Sequence, residues 1–393
     1  MTTNDWIIWG SALSPFHLKL MAMCRHAGLS FRVLPGERSR LENIRYMRRR
    51  EQLVRGRLAL TWPQKDPLDE FPLVPYLFGP AGENLYDSSA IADWLDTRAP
   101  VPRPRGELVP RDDAAAAFVV HLIDEYADEF CLYLIHHQRW TVSALDNRAG
   151  ALVAGEFRVG PFEPLMARWF SRRQTRRLPY LFSVAPAGFH IDGLPPGRQP
   201  PSLPGFPPTH ALLEQAFDRL LDALEPIFSR RGSLLGRRFT LADASLFGEL
   251  GVHSLADPTT DARIGRQAPH LHAWLARIHA GEFADGSTHA EWQLDESLRP
   301  LLAEIARTYL PLMQQNAAAW QRLTAAGETA FNERGFDRGR GLYDGTLDGH
   351  PFRAVARTFQ VKSWRVLCER WRALDAASRA RVRTLMPTEA FPE

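Results

Sequence analysis

The sequence predicts a small α/β domain, then an all-α domain, then an extra C-terminal α(+β) extension, on three observations. Short apolar runs alternate with helical periodicity up to residue 98, the period is helical through most of the chain beyond residue 112, and a Pro-rich hinge lies between. The expected units are 1–98, with a basic helical insertion at 36–57, then 110–290 and 291–393.

Trp6-Ile7-Ile8-Trp9 is an apolar run of the kind that makes a fully buried strand, and residues 10–14 break it with small, turn-forming side chains. Pro15 suits a first helical turn, where its missing N–H costs nothing. Leu18, Met21, Ala22 and Leu29 recur at helical spacing, and Gly28 caps the end. A second strand running to Val33 completes β-α-β. Ser11 and Ser14 precede a helix whose free N–H groups and dipole favour a negative charge. Residues 36–57 place Leu41, Ile44, Met47 and Leu53 on one stripe and arginines over the remainder, which reads as a solvated basic helix because no stacking aromatics are interleaved. Residues 61–71 read as a loop. A strand over 73–78, a hairpin turn over 79–83, a strand over 84–86 and a helix from Ser88 come next, the helix turning Ile91, Trp94 and Leu95 inward.

Beyond the hinge, 112–140 carries a long apolar period through Ala116, Phe118, Val119, Leu122, Ile123, Tyr126, Phe130 and Leu134. Further apolar-periodic stretches span 161–178 and 209–229, and a Pro/Gly-rich loop lies at 195–208. Thr240 and Asp243 have capping-box spacing ahead of a buried helix. In the extension, 298–323 reads as a helix, 335–355 as a hairpin about Asp348-Gly349, and 359–374 as a helix with Trp364, Leu367 and Trp371 on one face.

Composition bounds the function. The chain has 393 residues, 45% hydrophobic and 24% charged, with a net charge of +3 that implies no strongly basic partner surface. Its bases are nearly all Arg, with Lys only at 19, 65 and 362. Cys24, Cys131 and Cys368 are odd in number and far apart, so neither a disulfide framework nor a cysteine metal cluster is supported, and Cys24 is read as a small core residue. No basic, apolar leader and no run near the ~18 apolar residues of a membrane span is present, and the expected location is cytoplasmic. His270, His272 and His279 lack the carboxylate-histidine context of a zinc site, so no metal is expected, and His136 and His137 read as surface or core polar groups.

Three motifs in order carry a resemblance: Ser14-Pro15-Phe16 after the first strand, Val74-Pro75-Tyr76 at the third, and the run from Leu85 to Ala92, LYDSSAIA, leading into the last helix. With them the sequence resembles the glutathione S-transferase family, whose N-terminal domain is thioredoxin-like and whose helical domain carries the same Thr-x-x-Asp box. The resemblance implies a cis bond before Pro75 that lets Val74 pair its backbone with glutathione. It implies that Asp87 and Ser88 receive the γ-glutamyl end, and that a loop hydroxyl activates the thiol, Ser14 first and Ser11 second. Ser14 can equally be a helix N-cap. Family members use Tyr, Ser or Cys in that loop, and no Tyr or Cys lies between residues 6 and 16 here, so disulfide exchange is disfavoured. The implied reaction is thiolate attack on a small apolar electrophile, with glutathione as co-substrate, no cofactor, no nucleic-acid or membrane partner, and a homodimer among the assemblies. The alternative is a non-catalytic binding or scaffold protein of the same fold.

Overall fold

The computed structural model describes residues 5–36, 40–71, 74–101, 103–158, 160–283 and 291–391. The chain begins β1 (Trp6–Trp9), α1 (Pro15–Ala27), β2 (Phe31–Leu34), α2 (Arg40–Val54), β3 (Tyr76–Phe78), β4 (Asn84–Tyr86) and α3 (Ser88–Thr97). The sheet order is β2-β1-β3-β4, with β1 and β2 parallel and β3 antiparallel to both β1 and β4, a thioredoxin-like sheet. All four residues of β1 are buried because both faces of the sheet are covered: Trp6 and Ile8 join the large core with α1 and α3, Ile7 and Trp9 a smaller one under α2. Gly28, at φ 76, takes the left-handed position that ends α1, donating to the carbonyls of Arg25 and Cys24. The third strand is shorter than expected, and Leu73 lies outside the described residues.

One expectation is corrected at α2. The helix forms, but of its apolar stripe only Leu53 is buried, while Leu41, Ile44 and Met47 face solvent. The aromatic underside of the sheet selects the other face. Trp9 Nε1 donates to Asn43 Oδ1 at 3.0 Å, Tyr46 lies 5.3 Å from Phe78, and the Arg49 guanidinium stands 4.8 Å above the Phe78 ring. Residues 37–39 of the same stretch fall outside the described residues.

The helical part contains α4 (Ala114–Tyr126), a π-helical turn (Ala127–Cys131), α5 (Leu132–His137) and a second π turn (Gln138–Val142), which follow one another without a break. After it come α6 (Ala149–Phe157), α7 (Glu163–Arg176), α8 (His210–Phe228), α9 (Leu241–Ala256), α10 (Pro258–Gln267) and α11 (Pro269–His279). The last elements are α12 (Arg299–Arg307), α13 (Tyr309–Ala325), α14 (Asn332–Asp337), the hairpin β5 (Leu342–Leu347) and β6 (His350–Val355), α15 (Thr358–Ala373) and α16 (Ala376–Arg383). The single helix expected over 298–323 breaks at Thr308, because Pro311 has no N–H for the Arg307 carbonyl. The hairpin turns at Asp348 (φ 49) and Gly349 (φ 76), both left-handed, and the stretch just ahead of β5 is helical rather than part of it. Along α7, Met166 and Phe170 pack inward while Phe162, Leu165 and Trp169 face out, so its apolar period is only half buried.

Candidate functional site

The loop after β1 is held from both sides. Gly10 N–H donates to the Leu34 carbonyl at 2.9 Å, and the Ser14 carbonyl accepts from His17 at 3.0 Å to start α1. Ser14 occupies the N-cap position with extended backbone, yet its hydroxyl makes no capping bond. Ser11 is engaged differently: its Oγ accepts from Leu13 N–H at 3.2 Å and hydrogen-bonds the Glu156 carboxylate, which also accepts from Ala12 N–H at 2.9 Å. Burial raises the pKa of Glu156 and these donors oppose the rise, so Ser11 ties the loop to α6. Both serines line a cavity of about 360 Å³ together with Trp9, Leu13, Phe16, Val74, Trp140, Phe157 and Tyr180.

All three motifs meet at a second cavity of about 90 Å³, lined by Phe16, Val74, Pro75, Asp87 and Ser88 from the first domain. The Val74–Pro75 peptide is cis. Asp87 stands at φ 68 and ψ 109, a backbone setting few non-glycine residues adopt, and its carboxylate caps α3 by accepting from Ser89 N–H at 3.1 Å and Ala90 N–H at 3.3 Å. Ser88 is buried beside it. Phe16, Glu70, Val74, Leu132 and Arg357 line both cavities, so the two adjoin.

The facing wall comes from the π turn and Leu132 at the start of α5, the turn bringing Asp128 and Glu129 into the cavity as neighbours. Lys19, from the buried face of α1, places Nζ 2.6 Å from Asp124, 2.6 Å from Asp128 and 2.9 Å from Ser89 Oγ. Burial alone pulls the Lys19 pKa down, but the two carboxylates outweigh it and the ammonium stays charged. One cation between two acids leaves negative charge in excess, and burial beside Asp124 pushes Asp128 up to about 7. Burial, with Glu70 and Asp128 adding to it against Arg357, lifts Glu129 to about 8.

The roof comes from residues 357–365. Arg357 donates to Glu70 at 3.2 Å and to the Tyr133 hydroxyl at 3.1 Å, and buried Asn316 clamps its backbone N–H and C=O at 2.9 Å each. Lys362 Nζ lies 2.6 Å from Asp69 and 3.6 Å from Asp87 Oδ2, and Arg365 donates to Asp66 at 2.8 Å. Three cations at 357, 362 and 365 are thus laced to three acids of the loop before β3.

Further along, the Thr240 hydroxyl accepts from Asp243 N–H, the Asp243 carboxylate accepts from Thr240 N–H at 2.9 Å, and its other oxygen takes Leu234 N–H at 2.8 Å, all fully buried. Residues 182–277, which contain this box, match the family model of the glutathione S-transferase C-terminal domain. The match covers about a quarter of the chain. No curated protein matches the chain. Among solved structures, a glutathione S-transferase from Methylobacillus flagellatus KT with glutathione bound is 16% identical, covering 71% of this chain and 100% of that one at a TM-score of 0.35. One from Rhodospirillum rubrum F11 is 16% identical over 76% of this chain and 91% of that one, at 0.37.

Of the residues expected from the sequence, Ser14 and Ser11 border one cavity and Val74, Pro75, Asp87 and Ser88 the adjoining one. Sequence reasoning missed Glu70, Asp128, Glu129, Arg357, Lys19 and Lys362. A signal was present for two of them: in a chain whose bases are otherwise Arg, Lys19 and Lys362 are two of three lysines, and both meet carboxylates here. Cys24 is fully buried in α1, where burial holds its thiol far from ionisation. The histidines of α11 are separately engaged, His270 with Glu225, His272 with Asp261 and His279 with the Gly251 carbonyl.

Proposed function

We propose that the protein is a glutathione transferase of the cytoplasm, with glutathione as co-substrate and no bound cofactor. The γ-glutamyl end would rest at Asp87 and Ser88, the backbone of the tripeptide would pair with Val74, and the sulfur would reach the mouth of α1 beside Ser14. The observation that carries this reading is the contiguity of the two cavities through Val74 and Phe16, which sets the cradle next to a hydroxyl that no capping bond occupies. The larger cavity, walled by Trp140, Phe157, Phe170 and Leu181, suits an apolar electrophile. A free thiol has a pKa of about 8.5, and each unit of depression requires about 1.4 kcal/mol of preferential thiolate stabilisation. A hydroxyl donor at a helix N-terminus is of the size to supply about one or two units.

Two measurements test it. Isothermal titration should show saturable glutathione binding; no saturable heat up to about millimolar ligand overturns the reading. The thiolate absorbance of bound glutathione, titrated against pH, should shift upward by about one to two units in Ser14→Ala, and an unchanged titration removes Ser14 from the chemistry. The second reading, a non-catalytic member of the fold, is favoured by Lys362, whose ammonium already stands 3.6 Å from Asp87. Binding without turnover of any apolar electrophile would select it. A homodimer is proposed by kinship alone.

A further inference from the structure

Large apolar side chains that reach solvent are concentrated on two helices among the described residues. Leu41, Ile44 and Met47 lie exposed on α2, and Phe162, Leu165 and Trp169 at the start of α7, with Leu41 80% and Leu165 67% exposed. Along the outward face both helices have the same layout. Each is apolar in its first turns and basic beyond, with exposed Arg48 and Arg55 along and just past α2, and exposed Arg172, Arg173 and Arg176 on α7. Arg45 and Arg168 are exposed beside the apolar ends. The segments leading into the two helices are tied together: Arg158, ahead of α7, donates to the carbonyl of Gly36, ahead of α2, at 3.4 Å. Of these arginines, Arg55 pairs with Glu51, and the Arg173 guanidinium stands 5.9 Å from the Trp169 ring.

The chemistry of the face selects its occupant. A second copy docked on the same face would set arginine against arginine, a repulsive match. Leu41, Ile44, Met47 and Leu165 have no π-face to stack on a base, so a nucleic acid would leave them wet. An anionic bilayer satisfies both halves, since aliphatic and aromatic side chains enter the acyl boundary while guanidinium groups reach phosphate. No helix among the described residues is long and apolar enough to cross a membrane, so the attachment is superficial.

We propose that the starts of α2 and α7 together dock the protein on the surface of an anionic lipid membrane. The test is co-sedimentation of the full-length protein with vesicles of phosphatidylcholine alone or mixed with phosphatidylglycerol. Binding should be strong only on the mixed vesicles and should weaken as salt shortens the Debye length from about 10 Å to about 3 Å. Leu165→Glu with Trp169→Glu should abolish sedimentation, and Arg172→Glu with Arg176→Glu should weaken it by at least about tenfold, with circular dichroism unchanged because all four side chains are on the surface. Leu41→Glu, on the other helix, should weaken it independently. Absence of the protein from the anionic pellet overturns the proposal, as does binding indifferent to these substitutions. If light scattering finds a dimer that the Leu165 and Trp169 substitutions dissolve, without vesicle binding, the face belongs to a second copy. A gel shift with single-stranded DNA, again without vesicle binding, assigns it to nucleic acid. Either result overturns the lipid assignment.

Discussion

Glu129 is a carboxyl group that the folded protein keeps protonated where the unfolded chain does not. Burial carries its pKa from 4.5 to about 8, and the same cause carries Asp128 from 3.8 to about 7. Between the unfolded and folded values the native state binds more protons than the unfolded one, so stability falls as pH rises through that window. Urea unfolding should therefore give a lower midpoint at about pH 8 than at about pH 5, and Glu129→Gln, which keeps the shape and removes the ionisation, should flatten the difference. An unaltered slope in Glu129→Gln would assign the dependence elsewhere. At this scale the sequence showed what is local. Ser11, Ser14, Asp87 and Ser88 stand at strand-to-helix junctions that announce themselves by turn residues and periodicity, whereas Glu70, Glu129 and Arg357 matter only through partners far along the chain.

At the scale of the element, the strands and most long helices were legible, but α6, α10, α14 and α16 were not read, nor was which face of α2 turns inward. Amphipathic spacing assumes that the covered surface is aliphatic; under α2 it is a platform of Trp9, Tyr76 and Phe78, which Asn43, Tyr46 and Arg49 cover through polar and ring contacts. The same limit hid one edge of α15: its Trp364, Leu367 and Trp371 stripe is visible in the sequence, while the ionic edge of Lys362 and Arg365 acquires meaning only against Asp66, Asp69 and Asp87. If the ligand ammonium is to reach Asp87, it competes with Lys362. Lys362→Ala should tighten glutathione binding by about twofold to fivefold, the worth of a partly exposed ion pair, as read by calorimetry. An unchanged affinity would place the ammonium away from Asp87.

Across the whole molecule, the segment from α12 to α16 does not stand apart energetically. Leu301, Ile305, Tyr309, Leu367 and Trp371 belong to the same apolar core as α1, α4, α8 and α9, and Trp371 lies 5.3 Å from Phe118 of α4. Trp371→Ala should cost about 3 to 5 kcal/mol in urea unfolding, and a chain cut after residue 290 should be recovered mostly as aggregate because its removal strips α4 and α8 of their cover. A soluble, cooperatively unfolding truncation would refute that. Periodicity marked the apolar faces of these last helices; no local pattern names the surface that will receive them.

The lacing of 66–70 to 357–365 has a consequence in time. Lys362 and Asp69 are separated by 293 positions, and Arg357 and Glu70 by 287, so the roof is synthesised long after the loop it closes. A nascent chain still on the ribosome can already have its sheet and the helices α4 and α5, since domains form in order of emergence. It therefore passes through an interval with the pocket open and its acids bare, and acquires its guarded form only once residues 357–365 have emerged.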